Sequence, residues 1–302
     1  MFIKAFMLLV FFGVMIGIGL YCRRHATDVN GFVLGGRSVG PWLTAFAYGT
    51  SYFSAVIFVG YAGQFGWKYG IASTWVGIGN ALIGSFMAWA ILGRRTRIMT
   101  QHLNSATMPQ FFSARFDSPA LKICSSVIIF IFLIPYTASL YNGLSRLFGM
   151  AFNIDYSVCV VVMAILTGIY VIAGGYMATA VNDFIQGIIM VFGICAVIGA
   201  VLKSQGGFLA ALEGLAQISD PNVPGGPGVF NSFFGPDPLN LLGVVILTSL
   251  GTWGLPQMVQ KFYAIKSEGA INKGMIISTA FAFIVAGGCY FLGGFGMERV
   301  LR

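Results

Sequence analysis

Charged residues are scarce in this chain of 302 residues, where Asp, Glu, Lys and Arg together make up 9% of the sequence. Soluble domains carry roughly 25% charged residues, so this composition excludes a water-exposed globule. Hydrophobic residues, by contrast, make up 57% of the chain, and 28 residues are phenylalanine. Because about 20 apolar residues in a helix cross a hydrocarbon core of about 30 Å, the composition predicts an all-α, multi-pass membrane protein, which we place in the plasma membrane.

Cysteine and histidine are also rare, and their spacing matches no metal-binding or redox motif. The five cysteines stand singly without a CxxC pair, and the two histidines have no metal-ligand partner nearby in sequence. We therefore expect no transition-metal site and no cofactor, and the absence of a nucleophile-base pair argues against an enzyme. The net charge of +8 comes from basic residues in short loops between apolar segments, so it does not indicate nucleic-acid binding.

Apolar segments separated by polar residues predict about eight transmembrane helices. Their approximate positions are 3–22, 42–62, 71–92, 121–145, 156–173, 181–202, 239–258 and 275–297. With the N-terminus outside, eleven of the 17 basic residues fall in inner segments, and the other six fall in outer segments. The inner set is Arg23, Arg24, Arg37, Arg94, Arg95, Arg97, Arg115, Lys122, Lys261, Lys266 and Lys273. The positive-inside rule thus favours an outer N-terminus.

One long hydrophilic connection, 203–238, is rich in proline and glycine and suits an outer loop with a short amphipathic helix near Phe208–Ile218. This connection separates the predicted first repeat from the predicted second repeat. We expect a leading helix and cytoplasmic loop over 1–40, a first five-helix repeat over 41–202, and the beginning of a second, truncated repeat over 239–302.

Two predicted spans contain helix-weakening residues near the middle of the membrane. The first has the small, hydroxyl-rich stretch 49–54, and the second has the stretch 248–256, which ends at Pro256. Small residues in the first stretch are equally explained by close helix packing, as at Gly13 and Gly17. The two stretches lie five spans apart, however, which favours a repeated unit that opens with an interrupted helix. Such paired interruptions are typical of the central binding site of a transporter.

Asp183 lies near the predicted inner end of a span, and two interpretations remain open. With Gln186 three residues later, it has the arrangement of a helix-capping acid. An acidic side chain this close to hydrocarbon also suits a waypoint for a cation at the cytoplasmic mouth.

Several sequence motifs resemble the sodium:solute symporter family, in particular its proline and pantothenate branches. They are FVLGGRSVGP at 32–41, NSATMPQFFSARF at 104–116, the stretch from Gly174 and Gly175 to NDFIQG at 182–187, and GLPQ at 254–257 followed by Lys261. The resemblance runs in order along essentially the whole chain. It implies a leucine-transporter-type inverted-repeat fold with interrupted first and sixth core helices, and a symporter in which sodium entry drives solute uptake by alternating access.

The resemblance also implies roles for individual residues. Backbone carbonyls of Thr50 and Phe53 would bind sodium, the only metal expected, and backbone oxygens suit such a hard cation. Arg37 and Asp183 match positions tied to sodium coupling. The positions matched to the substrate site are Ser54, Tyr136, Thr248, Thr252 and, one residue further, Trp253.

This chain departs from the proline branch at the substrate site. Tyr52 stands where that branch has an acid, and Thr248 and Thr252 replace its aromatic substrate contacts, so proline is doubtful as the solute. Trp253 is open to two interpretations, a stacking surface for the solute or a residue that packs in the membrane.

Hydroxyl residues on the eighth core helix complete the sodium site in the family, and no such helix follows Arg302. We therefore expect this chain to be an incomplete N-terminal portion of a symporter for a small solute such as an amino acid or organic acid. The alternative is a transporter-like sensor module of a membrane signalling protein. Sodium, the solute and the lipid bilayer are the expected partners.

Overall fold

The computed structural model describes residues 2–25, 27–54, 56–218, 223 and 226–296. Part of the predicted outer loop, at 219–222 and 224–225, and residues 297–302 lie outside the described residues. The described residues are helical almost throughout. The α-helices are α1 (Phe2–Cys22), α2 (Val29–Leu34), α3 (Pro41–Tyr52), α4 (Ala62–Tyr69), α5 (Thr74–Gly79), α6 (Arg94–His102), α7 (Met108–Phe116), α8 (Pro119–Phe152), α9 (Tyr156–Ser204), α10 (Phe208–Ala216), α11 (Pro238–Leu250), α12 (Pro256–Ala264), α13 (Glu268–Ala282) and α14 (Gly288–Gly294). Helix α10 confirms the short amphipathic helix predicted in the long connection.

Four helical segments of the described chain are long and apolar enough to cross a membrane, and a bent pair of helices makes a fifth. The four are Ala62–His102, Pro119–Gly149, Tyr156–Ser204 and Glu268–Gly294, and the pair is Pro238–Gly254 with Pro256–Ala264. The number is smaller than the predicted eight partly because some predicted spans are joined or short. The apolar part of α1, Phe6–Cys22, is shorter than the roughly 20 residues that cross a hydrocarbon core.

Helix α9 joins two predicted spans, 156–173 and 181–202. It has 49 residues, and Gly175 interrupts its geometry with φ 57° and ψ −150°. At about 1.5 Å per residue, a straight helix of this length would be more than twice as long as the hydrocarbon core is thick. The backbone therefore breaks at Gly175, a conformation that favours glycine, and the two helical parts on either side match the predicted spans in position.

Both predicted helix interruptions are present. Helix α3 ends at Tyr52, and helical structure resumes with the π-helical turns of Val56–Tyr61. Helix α11 ends at Leu250 and passes through the 3-10 turn Gly251–Gly254 before α12 begins. Pro256, which has no backbone N–H, occupies the first turn of α12, and the axes of the pair are bent by 53° at this point.

The described chain forms two compact units by its internal contacts. The first comprises residues 1–51, 89–186 and 255–274. Its aromatic core is built around Trp89, whose ring centre lies 5.1 Å from that of Phe262 and 5.5 Å from that of Tyr48. Gly274 allows this packing, because a Cβ atom there would lie 2.5 Å from the Trp89 ring.

The second unit comprises residues 52–88, 187–254 and 275–302. Here the backbones of α4 and α14 are in direct contact at Gly66 and Gly293. A side chain on Gly66 would not fit, since its Cβ atom would lie 2.1 Å from the carbonyl of Gly293. Small residues permit such close approach of membrane helices, where van der Waals packing replaces the hydrophobic driving force.

Close packing at Gly13 and Gly17, by contrast, was a wrong prediction. Within the described part of the chain, a Cβ atom on either glycine would meet no atom within 4 Å. On α1 it is Gly19 that is close-packed, since its Cβ would lie 2.9 Å from Tyr170 Cβ. The close helix contact therefore falls nearer the end of α1.

Candidate functional site

In the first unit, an ion pair joins α9 and α12. Asp183 Oδ2 and Lys261 Nζ are 3.8 Å apart, and the two side chains are 23% and 8% exposed. The Lys261 ammonium also lies 5.1 Å from the ring centre of Tyr176, within the range of a cation–π interaction. Tyr176 and Asp183 are seven residues apart, so they share one face of α9.

Asp183 is not a capping residue. It lies eight residues beyond Gly175, two turns inside the second part of α9, where no helix terminus needs an acceptor. The capping interpretation is therefore wrong. The described charged partner of the Asp183 carboxylate is the buried ammonium of Lys261.

Thr50 lies in the last turn of α3, where its hydroxyl donates to Phe46 O over 2.9 Å. The same hydroxyl is close enough to interact with the carboxylate of Asp183. The rings of Phe46 and Phe184 meet edge to face at 4.9 Å. The end of α3 before the first interruption is therefore seated on α9 beside Asp183.

Several buried polar side chains of α9 and α12 lack hydrogen-bond partners among the described residues. In the described part of the chain, no hydrogen-bond partner is present for the Tyr176 hydroxyl or for either amide atom of Asn182 and Gln257. Gln257 is one helical turn before Lys261 on α12, and Asn182 precedes Asp183. Because more than nine in ten buried polar groups in proteins find a partner, such a cluster is expected at a site that receives water, an ion or a ligand.

Arg37 and Arg97 hold the C-terminal end of α12, where the last carbonyls lack partners inside the helix. The Arg37 guanidinium donates to Ser105 O at 2.7 Å, Thr100 O at 3.2 Å and Tyr263 O at 3.3 Å. Arg97 donates to Ile265 O at 2.6 Å. Burial lowers the pKa of Arg37, and the positive charge of Arg97 lowers it further, but a guanidinium titrates so high that Arg37 stays charged.

In the second unit, Asn80 is fully buried at the start of the π-helical segment Asn80–Met87 and gathers three hydroxyl groups. Its Oδ1 is 3.0 Å from Thr248 Oγ1, 3.1 Å from Ser249 Oγ and 3.2 Å from the Tyr52 hydroxyl. Its Nδ2 has no partner among the described residues. We call Asn80, Tyr52, Thr248 and Ser249 the Asn80 cluster.

The Asn80 cluster connects the ends of both interrupted helices. Tyr52 is the last residue of α3, and Thr248 and Ser249 are in the last turn of α11. The Tyr52 hydroxyl is also 2.9 Å from Thr248 O. Gly84 leaves room for Tyr52, since a Cβ atom there would lie 2.1 Å from the hydroxyl oxygen.

Other predicted site residues surround the interruptions. The Thr252 hydroxyl donates to Ser249 O at 2.9 Å, and the Trp253 indole donates to Ile83 O at 3.0 Å. Phe53 is buried against Phe281, with ring centres 6.5 Å apart. The carbonyl of Ser54 accepts from Ile57 N as the π-helical turns begin.

Tyr136 stands apart from this group. It is half-buried on α8, a helix whose most apolar stretch has no buried residue in the described chain. Its carbonyl accepts a hydrogen bond from Ser139. No described hydrogen bond joins Tyr136 to another predicted site residue, so a substrate role for it depends on the family resemblance.

Sequence reasoning missed the part that two residues play in these sites. The sequence places Lys261 among the basic residues of the inner segments, and the structure shows it as a buried side chain within α12. Asn80 was not singled out, although an amide in the apolar segment 71–92 is a signal for an intramembrane polar site. Among the described residues, no group of three His, Cys, Asp or Glu is placed to hold a metal.

Comparison with known proteins agrees with this architecture. Sodium/proline symporters of Salmonella typhimurium and Escherichia coli are each 32% identical over 291 residues, which is 94% of this chain and 55% of each relative. A sodium/proline symporter of Staphylococcus aureus is 32% identical over 273 residues, or 88% of this chain and 51% of the relative. The chain thus spans about half the length of these curated relatives.

The fold matches a solved structure of a Na⁺-coupled sialic acid symporter in a substrate-bound, outward-open state. The TM-score is 0.76 at 16% identity, and the match covers 97% of this chain and 61% of that one. At this identity the likeness establishes the helical fold. The profile of the sodium:solute symporter family matches residues 32–301. The chain is therefore a multi-pass membrane protein and belongs to the sodium:solute symporter family.

Proposed function

We propose that this chain serves sodium-coupled import of a small organic solute, such as an amino acid or an organic acid, by alternating access. The observation that carries the proposal is the pair of helix interruptions after Tyr52 and after Leu250, each lined by hydroxyl and amide groups. Irregular backbone at membrane depth is tolerated where it lines a cavity or is buried in protein, and it supplies carbonyls and helix ends for ions and polar solutes.

The proposed fold is an inverted repeat of the leucine-transporter type, with about eight transmembrane helices in this chain. Residues 1–40 form the leading helix and inner loop, 41–202 the first repeat, 203–238 an outer loop, and 239–302 the start of the second repeat. The break at Gly175 supports two spans within α9, and the interrupted helices open the two repeats.

In this proposal, carbonyls of Thr50 and Phe53 bind sodium, and Asp183 lies on its pathway. Arg37 acts by holding the C-terminal end of α12, since its donors are occupied by backbone carbonyls. The solute contacts are Ser54, Tyr136, Thr248, Thr252 and Trp253. The hydroxyl and indole groups among them suit a polar solute, and the substitutions at Tyr52, Thr248 and Thr252 argue against proline.

The test is uptake of a panel of labelled amino acids and organic acids into proteoliposomes. Both this chain and the product of its complete natural reading frame are reconstituted, with an inward sodium gradient or with choline. We expect uptake of at least one solute to require sodium. Uptake by the complete product that is equal in sodium and in choline would refute sodium coupling.

The proposed orientation places the N-terminus outside the plasma membrane. After the five native cysteines are replaced, single cysteines at Lys68 and at Arg24 are exposed to a membrane-impermeant maleimide on intact cells. We expect labelling at position 68 only. Labelling at position 24 only would invert the topology and the assignment of the inner and outer loops.

A further inference from the structure

Lys261 is a second cation at the place proposed for sodium passage. We propose that Lys261 is a tethered cation that occupies the cation position at Asp183, and that sodium binds this carboxylate only after the ammonium has moved away. This inference rests on the proposed sodium role of Asp183. It makes the pair a site of exchange between an internal ammonium and a sodium ion.

The geometry of the pair favours exchange over a permanent bond. Direct hydrogen bonds between an ammonium and a carboxylate are usually about 2.7–2.9 Å long, and the Lys261–Asp183 distance is 3.8 Å. The ammonium is thus close enough to neutralise the carboxylate but does not sit in the shortest contact with it. Since both side chains are largely removed from solvent, the carboxylate needs a nearby positive charge.

The protein also provides other groups for the displaced ammonium. The Tyr176 ring lies 5.1 Å from Nζ. The unpartnered Gln257 amide is one turn before Lys261, on the same face of α12, and the Tyr176 hydroxyl is likewise unpartnered in the described chain. A lysine with four flexible methylene groups can move among such partners without leaving the site.

Neighbouring oxygen atoms suit the incoming ion. Sodium, a hard cation, prefers carboxylate, amide and hydroxyl oxygens. Besides Asp183, the surroundings contain the Thr50 hydroxyl. It would contribute as a neutral ligand beside the one carboxylate.

A tethered competitor lowers the apparent affinity for sodium by the fraction of time that it leaves the site free. If the ammonium occupies the site about nine-tenths of the time, its removal tightens sodium binding about tenfold. The variant Lys261→Met keeps an unbranched side chain of similar length without the charge. We expect it to bind sodium at Asp183 about tenfold more tightly than the unmodified chain.

The experiment measures the melting temperature of the full chain in detergent during titration with sodium chloride, at ionic strength held constant with choline chloride. Ligand binding to the folded state raises the melting temperature in a concentration-dependent way. We expect the sodium midpoint of Lys261→Met to shift about tenfold lower. Lys261→Arg, which keeps a tethered cation, and Lys68→Met, which removes a lysine of the second unit, should behave like the unmodified chain.

The double variant Asp183→Asn with Lys261→Met isolates the carboxylate, and it should lose the added sodium response. A response of Lys261→Met no greater than that of the unmodified chain, or one that survives in the double variant, would overturn the proposal. A Lys261→Met chain that is unfolded in both salts would also overturn it, because sodium would then not replace the ammonium. Melting needs no transport, so a sodium response of Lys261→Met together with uptake by the complete product that is equal in sodium and in choline would refute the transport proposal alone.

Discussion

Replacement of Asn80 tests whether the hydrogen bonds between the two interrupted helices stabilise the fold. Asn80→Ala removes an oxygen that lies within 3.0–3.2 Å of the hydroxyls of Thr248, Ser249 and Tyr52. Hydrogen bonds between membrane helices contribute on average about 0.6 kcal/mol each and at most about 1.7 kcal/mol. Three average bonds give a loss of about 2 kcal/mol in the free energy of unfolding.

Two of the three hydroxyls have other acceptors. The expected loss therefore stays at about 2 kcal/mol, the sum for three average bonds, and does not approach the sum for three bonds of maximum strength. The Tyr52 hydroxyl is 2.9 Å from Thr248 O, and the Thr248 hydroxyl is 2.8 Å from Val244 O. Neither is left unpartnered when the amide is removed. The Ser249 hydroxyl, by contrast, has Asn80 Oδ1 as its described acceptor, so the loss of about 2 kcal/mol combines lost bonds with one buried hydroxyl that loses this acceptor.

A double-mutant cycle separates the Asn80–Tyr52 bond from general loosening of the core. Stability is measured by reversible unfolding in sodium dodecyl sulfate for Asn80→Ala, Tyr52→Phe and the double variant. We expect a coupling free energy of about 0.6 kcal/mol, the average for one such bond and within the range for contacting residues. Tyr61→Phe, at a ring that is 46% exposed, is the control partner and should add to Asn80→Ala without coupling.

The reasoning would be refuted by a coupling below about 0.3 kcal/mol for Asn80 and Tyr52, because independent sites add within such a margin. Coupling of equal size in the Tyr61 control would also refute it. In that case the loss would reflect a change spread through the second unit and not a bond between the two interrupted helices.

Three further predictions concern the supports of the site. Gly175→Ala should lower the free energy of unfolding by about 1–3 kcal/mol, since φ is 57° and a Cβ atom would lie 2.8 Å from Phe32 O; unchanged stability in the same assay would contradict this. Arg37→Lys should lower it by about 1.5–3 kcal/mol, the value of one charged hydrogen bond, because one ammonium cannot reach all three carbonyls. Arg94→Ala should change it by less than about 1 kcal/mol, since this partner of Glu268 is 73% exposed, and a loss above about 2 kcal/mol would show an unrecognised structural role.

Much of the helical organisation was predictable because it depends on local sequence. Helix α1 follows from an uninterrupted apolar segment, and the end of α3 follows from small and hydroxyl residues near Gly49. Pro256 marks the start of α12 because proline lacks the N–H that only a first turn can spare. Each of these signals acts within a few residues.

The site itself could be predicted only in part, because its contacts join distant segments. Asn80 meets Thr248 and Ser249 across 168 and 169 residues, and no local pattern encodes that pairing. In sequence, Lys261 is one of eleven basic residues of the predicted inner segments, and its ion pair with Asp183 and its contact with Tyr176 depend on α9. Sequence alone pointed to the acid but not to the ammonium beside it.

The short helix α12 shows why both arginines matter. It has nine residues, fewer than an isolated helix needs to persist, so its stability must come from tertiary contacts. At its C-terminal end, Arg37 donates to Tyr263 O, Arg97 donates to Ile265 O, and Val39 N donates to Ala264 O. These donors neutralise the negative end of the helix dipole and fix that end within the first unit. Lys261 is one turn from the fixed end, so the exchange proposed at Asp183 requires motion of its side chain and none of the helix that carries it.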